Sequence, residues 1–595
     1  MNRQTSWSVD EEWKGSDMAR VMVIDERESV AETLVDRLRE SLIVETCQRA
    51  PQPEDGFGGE LSGGYAGLLQ DQSVDTVVYC PPLDTDKETP DLANAETIFQ
   101  ECASADIKRM IVLSSAAVYG ASHHNPGLIP ESRSSSRNTK TPLASKWADL
   151  EGLALIYLGG HSGIKLTILR PVAVPVRGGE DYFSRVLRNK IAITLPGHDP
   201  SLQILSVDDL ASAVRCAIEK SEGGIYNVAP DGVVPLRAAL RLSGSHRLPL
   251  GIGIQRVARA ALKALKLSHS IDQLEYIRYS WTVSNRKMKQ ELGFRPVRSS
   301  AEAVMDFADR KSNGSGSSKK ANREFDDFGM DKDYIAAYGR TLFRFLHDHY
   351  WRVEVNGLER VPRDGRAVLV GVHRGLMPWD GVMALHLIAK ERGRHPRFLI
   401  HPTLIKFPFL FNFMTKLGGI VACQENADYV LERDGILGIF PEGIHGAFML
   451  YKNAYRLGKF GRDEFVKMAL RNSAPIVPFV TVGSAEIFPI FKKIDWGWWK
   501  RYSEWPCFPI TPTFPLLPIP LPSKWHTQFL APIHIEKWHP PEDADDPVIV
   551  RMISNDVRKK MEAAIEEIRR RRKSIFYGSV FEHDGAVSLL NKEAG

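Results

Sequence analysis

Residues 367–392 read AVLVGVHRGLMPWDGVMALHLIAKER, and the change of pattern inside this stretch sets the fold class. Its first part, AVLVGVH, is a continuous apolar run of the kind carried by a strand buried on both faces, and it closes on His373. After the break a helical pattern begins, with Pro378 suited to a first helical position and Asp380 in the first turn. A buried strand that folds back into a helix is half of a βαβ unit, and its carboxyl mouth is where α/β sheets bind ligands. His373 and Asp380 are predicted to meet at that mouth. Such a pair also arises as a plain polar turn in which the aspartate serves only the helix dipole. The neighbouring sequence decides between the two.

About sixty residues on, GILGIFPEGIHGAF (435–448) repeats the grammar, a strand-like run ending in Phe440, Pro441, Glu442 and Gly443. APIVPFVTVGSAEIF (474–488) supplies a third buried strand, with Pro478 inside it. Over roughly residues 333–575 this ordered set resembles the glycerolipid acyltransferases, the family of glycerol-phosphate and lysophosphatidate acyltransferases. The resemblance implies that His373 is a general base, that Asp380 supports its imidazolium, and that Glu442 and Gly443 bind the acceptor. It implies acyl-CoA or acyl carrier protein as donor and a glycerolipid as acceptor, with no metal and no tightly bound cofactor. Two departures matter. Six residues separate His373 from Asp380 where the most familiar family pattern has four, and this longer spacing is similar to the subgroup related to mono- and diacylglycerol acyltransferases. Gln424 stands where family members often carry an arginine for the acceptor phosphate. Lys452, Arg456, Lys459 and Arg462 are alternative acceptor-binding cations, although a solvated loop accounts for them equally well.

Working back toward the N-terminus, β-branched runs alternate with helical patterns: RVMVID (20–25) with VAETLVDRLRES (30–41), DTVVYC (75–80) with AETIFQECASAD (95–106), then RMIVLSS (109–115). That alternation predicts a doubly wound parallel sheet of Rossmann-like type. LSSAAVYG (113–120), LTILRP (166–171), ILSVDDLASAV (204–214), GIYNVAPDG (224–232) and ELGFRP (291–296) together resemble the extended short-chain dehydrogenase/reductases, which include sugar-nucleotide epimerases. That family binds a dinucleotide through a glycine-rich turn after its first strand. Here the three glycine positions are Asp25, Glu28 and Ala31. A carboxylate about 5 Å from a phosphate charge, at an effective dielectric near 20, costs on the order of 3 kcal/mol. The family also pairs a tyrosine with a lysine four residues later and an upstream serine. Ser115 and Lys146 match, but the tyrosine position is Pro142. The expectation is a degenerate reductase-like domain with a remnant site at Ser115 and Lys146 and no cofactor-binding residues.

The whole chain is 595 residues, too long for one core. The predicted organisation is a disordered N-terminus (1–19), a reductase-like domain (20–308), a flexible linker (309–328) rich in Gly, Ser and charge, an α/β acyltransferase domain (329–578) and a tail (579–595). The formal charge of +4 is mild and no nucleic-acid motif is present, so no nucleic-acid partner is expected. Six cysteines lie scattered without metal-type spacing, and no metal site is expected. No apolar run is long and unbroken enough to span a bilayer. The apolar run 398–423 reads as core or as a membrane-facing surface, and the proline-rich segment 505–525 equally as a core-covering loop or an interfacial contact; a cytoplasmic location peripheral to the inner face of the cell membrane is expected. The basic run RRRRKS (569–574) reads as a helix end or as a contact for anionic headgroups. Two other functions stay open: an NAD(P)-dependent reductase or epimerase with a fused acyltransferase, and a non-catalytic lipid-binding scaffold.

Overall fold

The computed structural model describes residues 20–25, 30–39, 43–47, 69, 74–81, 90–105, 107–122, 124–133, 142–161, 163–176, 179, 181–220, 223–251, 253–254, 271–309, 326–401, 404, 407–458, 460–461, 463–503, 505–513 and 519–581. The stretch expected to be a disordered N-terminus, most of the expected linker and the end of the tail lie outside these residues. The chain divides into two compact units, one formed chiefly by residues up to Ser317 and the other chiefly by residues after it.

In the first unit the β-branched runs become six strands: β1 (Arg20–Asp25), β2 (Ile43–Cys47), β3 (Thr76–Cys80), β4 (Arg109–Leu113), β5 (Lys165–Pro171) and β6 (Gly224–Val228). They form one sheet in the order β2-β1-β3-β4-β5-β6. Every pairing in it is parallel. Parallel strands need helical crossovers, which explains the strand-helix alternation of the sequence. Among the helices are α1 (Val30–Arg39), α2 (Leu92–Ser104), α3 (Pro142–Tyr157) and α4 (Val207–Lys220). β3 is buried along its whole length, as its TVVYC sequence requires. The side chain of Asp91 caps α2 by accepting from the amides of Ala93 and Asn94.

The second unit is built on seven strands: β7 (Glu354–Asn356), β8 (Ala367–Val370), β9 (Arg397–Ile400), β10 (Gly419–Val421), β11 (Ile436–Ile439), β12 (Ile476–Val482) and β13 (His526–Phe529). Their order is β7-β13-β12-β8-β11-β9-β10. All pairings are parallel except that of β12 with β13. Alternate residues of the central strands feed two separate cores. Val368 and Val370 enter one, Ala367 and Leu369 the other, and on β12 Ile476 and Val480 part from Val477 and Phe479 in the same way. Both faces are covered, so the sequence shows an unbroken apolar run. Pro478 sits at the end of the β12–β8 pairing, and its carbonyl accepts from the amide of Leu530.

Helix α5 (Trp379–Arg392) follows β8 and is buried from Asp380 to Ile388; Gly393, in a left-handed conformation, ends it. The other helices that shape the site are α6 (Pro408–Lys416), α7 (Gln424–Glu432), α8 (Gly443–Ala447), α9 (Glu464–Arg471) and α10 (Pro547–Arg571). The apolar segment 398–423 is thus divided into β9, α6 and β10. Among the described residues no helix is long and apolar enough to cross a membrane. Segment 505–525 covers core at both ends, where Trp505, Cys507, Ser523 and Trp525 are buried and Trp525 stacks on Trp351 at 4.3 Å. The basic run divides in role: Arg569, Arg570 and Arg571 form the last turn of α10, while Arg572 is buried on Glu486 at 2.7 Å.

Candidate active site

His373 and Glu442 each lie three residues beyond the end of a central strand, and those ends, Val370 and Ile439, are register partners. Adjacent parallel strands therefore deliver both residues to the same edge of the sheet. Gly371 lets the chain leave β8 tightly, since a Cβ there would fall 2.4 Å from the Phe479 ring. The chain then reverses through Gly375 (φ 79°) and Leu376 (φ 60°), two left-handed residues in succession. The Met377 amide donates to the Gly375 carbonyl and the Trp379 amide to that of Met377 at 2.8 Å, each a three-residue turn. These consecutive tight turns take up the long His-to-Asp spacing and return Asp380, in the first turn of α5, to His373.

Nδ1 of His373 lies 3.0 Å from both carboxylate oxygens of Asp380. The Asp380 side chain is fully buried and that of His373 is 11% exposed. Two amides also donate to Asp380, from Arg374 at 2.9 Å and Gly381 at 2.8 Å. The carboxylate is thus fixed by donors on three sides and the ring is oriented by it.

Arg374 joins this pair to the second motif, and the sequence reading did not single it out. Its guanidinium makes a two-pronged bond to Glu442, at 2.6 and 3.0 Å, with both side chains only 3% exposed. It also donates to the carbonyls of His373, Ala454 and Arg456. Glu442 accepts in addition from the Gly458 amide at 2.6 Å. The expected acceptor ligand is therefore a buried brace that ties the strand ends to loop 454–458. The Gly443 amide is likewise engaged, donating to the Phe440 carbonyl.

His373 lines a cavity of about 480 Å³, within the roughly 300–1,000 Å³ of small-molecule sites. Its walls are chiefly Leu, Ile, Met and Phe side chains, including Leu385, Phe398, Met414, Ile444 and Phe448. Phe398 and Phe440 stack at 5.6 Å, and Phe440 contacts the His373 ring at 5.3 Å. Gln424 is on the wall and donates to Asp428 at 2.8 Å. Of the four expected acceptor cations, Lys452 and Arg456 are exposed and are not among the residues lining the cavity, while Lys459 and Arg462 fall outside the described residues.

In the first unit Ser115 caps a short turn, accepting from the Ala117 amide at 3.1 Å, and Lys146 is exposed on α3. Asp25 closes β1, Ala31 is the second residue of α1, and Glu28 lies outside the described residues. Pro142 opens α3, one turn before Lys146. A phenol does occupy the strand ends, that of Tyr119, but it accepts from Arg170 at 2.6 Å and donates to Asn227 at 2.8 Å, and burial pushes it up to about 12. Arg170 in turn holds Glu151. These residues form a satisfied structural network. They do not fit the proton exchange that a nicotinamide-dependent site requires.

The family described as "Acyltransferase" matches residues 352–482, and the "NAD dependent epimerase/dehydratase family" matches residues 67–229. An uncharacterised protein of Mycobacterium tuberculosis is 36% identical over 259 residues, 42% of this chain and 72% of that protein. One of Mycobacterium leprae is 31% identical over 348 residues, 58% of this chain and 92% of that protein. Phytyl ester synthase 2, chloroplastic, of Arabidopsis thaliana is 31% identical over 143 residues, 23% of this chain and 20% of that protein. The chain belongs to one family with these mycobacterial proteins, and it joins an NAD dependent epimerase/dehydratase family domain to a domain of the acyltransferase family.

Proposed function

We propose that the protein is an O-acyltransferase that moves a fatty acyl group from acyl-CoA or acyl carrier protein to a glycerolipid hydroxyl, with His373 as general base. The observation that carries this is the buried His373–Asp380 pair on the wall of an apolar cavity. A hydroxyl is a poor nucleophile at neutral pH, and Nδ1 is committed to Asp380, so the proton of the attacking hydroxyl passes to Nε2. Asp380 holds the tautomer and stabilises the imidazolium as it forms. The new C–O ester bond forms as the C–S bond of the thioester breaks, and the imidazolium returns its proton to the leaving thiolate. Apolar walls hold the acyl chain and keep water from competing with the acceptor. No metal and no tightly bound cofactor enters this scheme.

Gln424 and the apolar lining favour an acceptor of the mono- or diacylglycerol type over lysophosphatidate, because the described residues that line the cavity include no lysine or arginine to hold a phosphate. A relative named for making phytyl esters is in keeping with a lipid alcohol as acceptor. The enzyme works at the inner face of the cell membrane, and the first unit is a pseudo-reductase serving as a regulatory or docking module.

The test is incubation of the purified full chain with radiolabelled acyl-CoA and a panel of lysolipids, glycerol-phosphates and mono- and diacylglycerols. His373→Ala should lower transfer by roughly 10² to 10⁴-fold, the range for losing a positioned base. Asp380→Asn should lower turnover in a folded protein. Near-normal transfer by folded His373→Ala would overturn the mechanism. Lipid binding without transfer by the wild type would favour a scaffold.

A further inference from the structure

Residues 491–498, FKKIDWGW, are exposed without interruption. They begin a two-stranded antiparallel ribbon in which Lys492–Ile494 pairs with Phe508–Ile510, and they run into the short helix Gly497–Ser503. Within these eight residues Phe491 is 62% exposed, Trp496 50% and Trp498 58%. A two-stranded ribbon is marginal in water by itself, and leaving large aromatic surface on it open adds to the cost. All three residues Lys492, Lys493 and Ile494 are exposed, so both faces of this strand are open. A protein partner would cover one face. A fluid interface covers both, and it suits this composition: indole rings at headgroup depth with lysines beside them. Lys500 pairs with Asp495 at 2.7 Å, which leaves the charges of Lys492 and Lys493 in excess.

The base of the ribbon reaches the cavity. Trp499 packs edge-on against Phe508 at 5.1 Å and against Trp505 at 5.7 Å. Trp505 lines the cavity and packs on Phe407 and Phe448. We infer that residues 491–500 are an interfacial anchor which seats the mouth of the cavity on a bilayer bearing anionic headgroups. This rests on the reading of the cavity as an acyl site, and it names the surface from which that site draws its lipid.

The test is co-flotation of the full chain with vesicles of phosphatidylcholine alone and of phosphatidylcholine with phosphatidylglycerol, the second set repeated with acyl chains brominated to quench tryptophan fluorescence. Lys492→Gln with Lys493→Gln should weaken binding to the anionic vesicles by roughly 30-fold, from the attraction expected per lysine, and leave binding to neutral vesicles unchanged. Phe491→Ser, Trp496→Ser and Trp498→Ser together should weaken binding to both kinds of vesicle and remove the bromine quenching. None of these five residues lines the cavity, so transfer to a water-dispersed short-chain acceptor should be unchanged in both variants. Vesicle binding of either folded variant equal to that of the wild type would overturn the anchor, as would loss of transfer to the dispersed acceptor. If no acyl transfer occurs in any chain while the binding differences hold, the failure belongs to the acyltransferase reading and the anchor stands.

Discussion

Arg374 shows how one buried side chain can tie a site together without being among the residues that line its cavity. Its guanidinium and the Glu442 carboxylate are both out of water, so each ion has lost its hydration and depends on the other. Removing one partner strands the second. Glu442→Gln and Arg374→Met should each cost about 3–5 kcal/mol of stability, read from denaturation of the full chain. Arg374→Met combined with Glu442→Leu should recover much of that loss, because two apolar groups no longer leave an uncompensated charge. It should not recover acyl transfer, since the carbonyls of Ala454 and Arg456 and the Gly458 amide would have lost their tether. Equal recovery of both would mean that the brace serves stability alone. The sequence exposed His373 and Glu442 because each closes an apolar run, and Asp380 because it opens the helical pattern that follows the break. Arg374 gave no such signal. Its importance follows from β8 and β11 being neighbours in register, which brings Glu442 to it across 68 positions of chain.

At the level of elements, the turn between β8 and α5 sets the geometry of the pair. The sequence placed the strand, the break and the helix correctly, but it ran the strand through His373, whereas pairing stops at Val370. The residues between are apolar because they are buried at the mouth of the sheet, and burial alone does not distinguish a strand from the loop that leaves it. Nor does composition reveal that Leu376 takes a left-handed conformation, a strain that surrounding packing has to offset. Gly375 is the critical position. A Cβ there would lie 2.3 Å from the backbone carbonyl of Ser484, which cannot move aside as a flexible side chain would, and its φ of 79° is strained for any other residue. Gly375→Ala should destabilise the protein by about 1–3 kcal/mol and lower turnover by displacing His373 from Asp380. Kinetics at saturating donor and acceptor separate this from a binding defect: kcat should fall while KM changes little. An unchanged kcat in the alanine variant would show that the pair tolerates a rearranged turn.

For the whole molecule, the question is why an acyltransferase carries an epimerase-like unit whose catalytic positions are altered. The six-stranded parallel sheet is intact, since its fold depends on the buried strands and their crossovers. The chemistry depends on a few individual positions, and those can change without disturbing the core. Pro142 at the start of α3 leaves no phenol one turn before Lys146, and the Ser115 hydroxyl is bonded to its own turn. The resemblance puts Asp25 and Glu28 at two glycine positions of the dinucleotide turn, and a carboxylate about 5 Å from a phosphate would cost about 3 kcal/mol, or roughly a hundredfold in affinity. Calorimetric titration of the full chain with NAD(H) and NADP(H) should therefore give no saturable heat at physiological concentrations. Replacing Asp25, Glu28 and Ala31 with glycine should raise affinity for the dinucleotide, because it removes both the charge and the bulk from the turn. It should not produce reductase or epimerase activity, because no group then stands where the tyrosine would exchange its proton. Low-micromolar affinity in the wild type would mean that the turn accommodates its carboxylates away from the phosphates, and the first unit would then be a cofactor-binding sensor coupled to acyl transfer rather than a pseudo-reductase retained for docking.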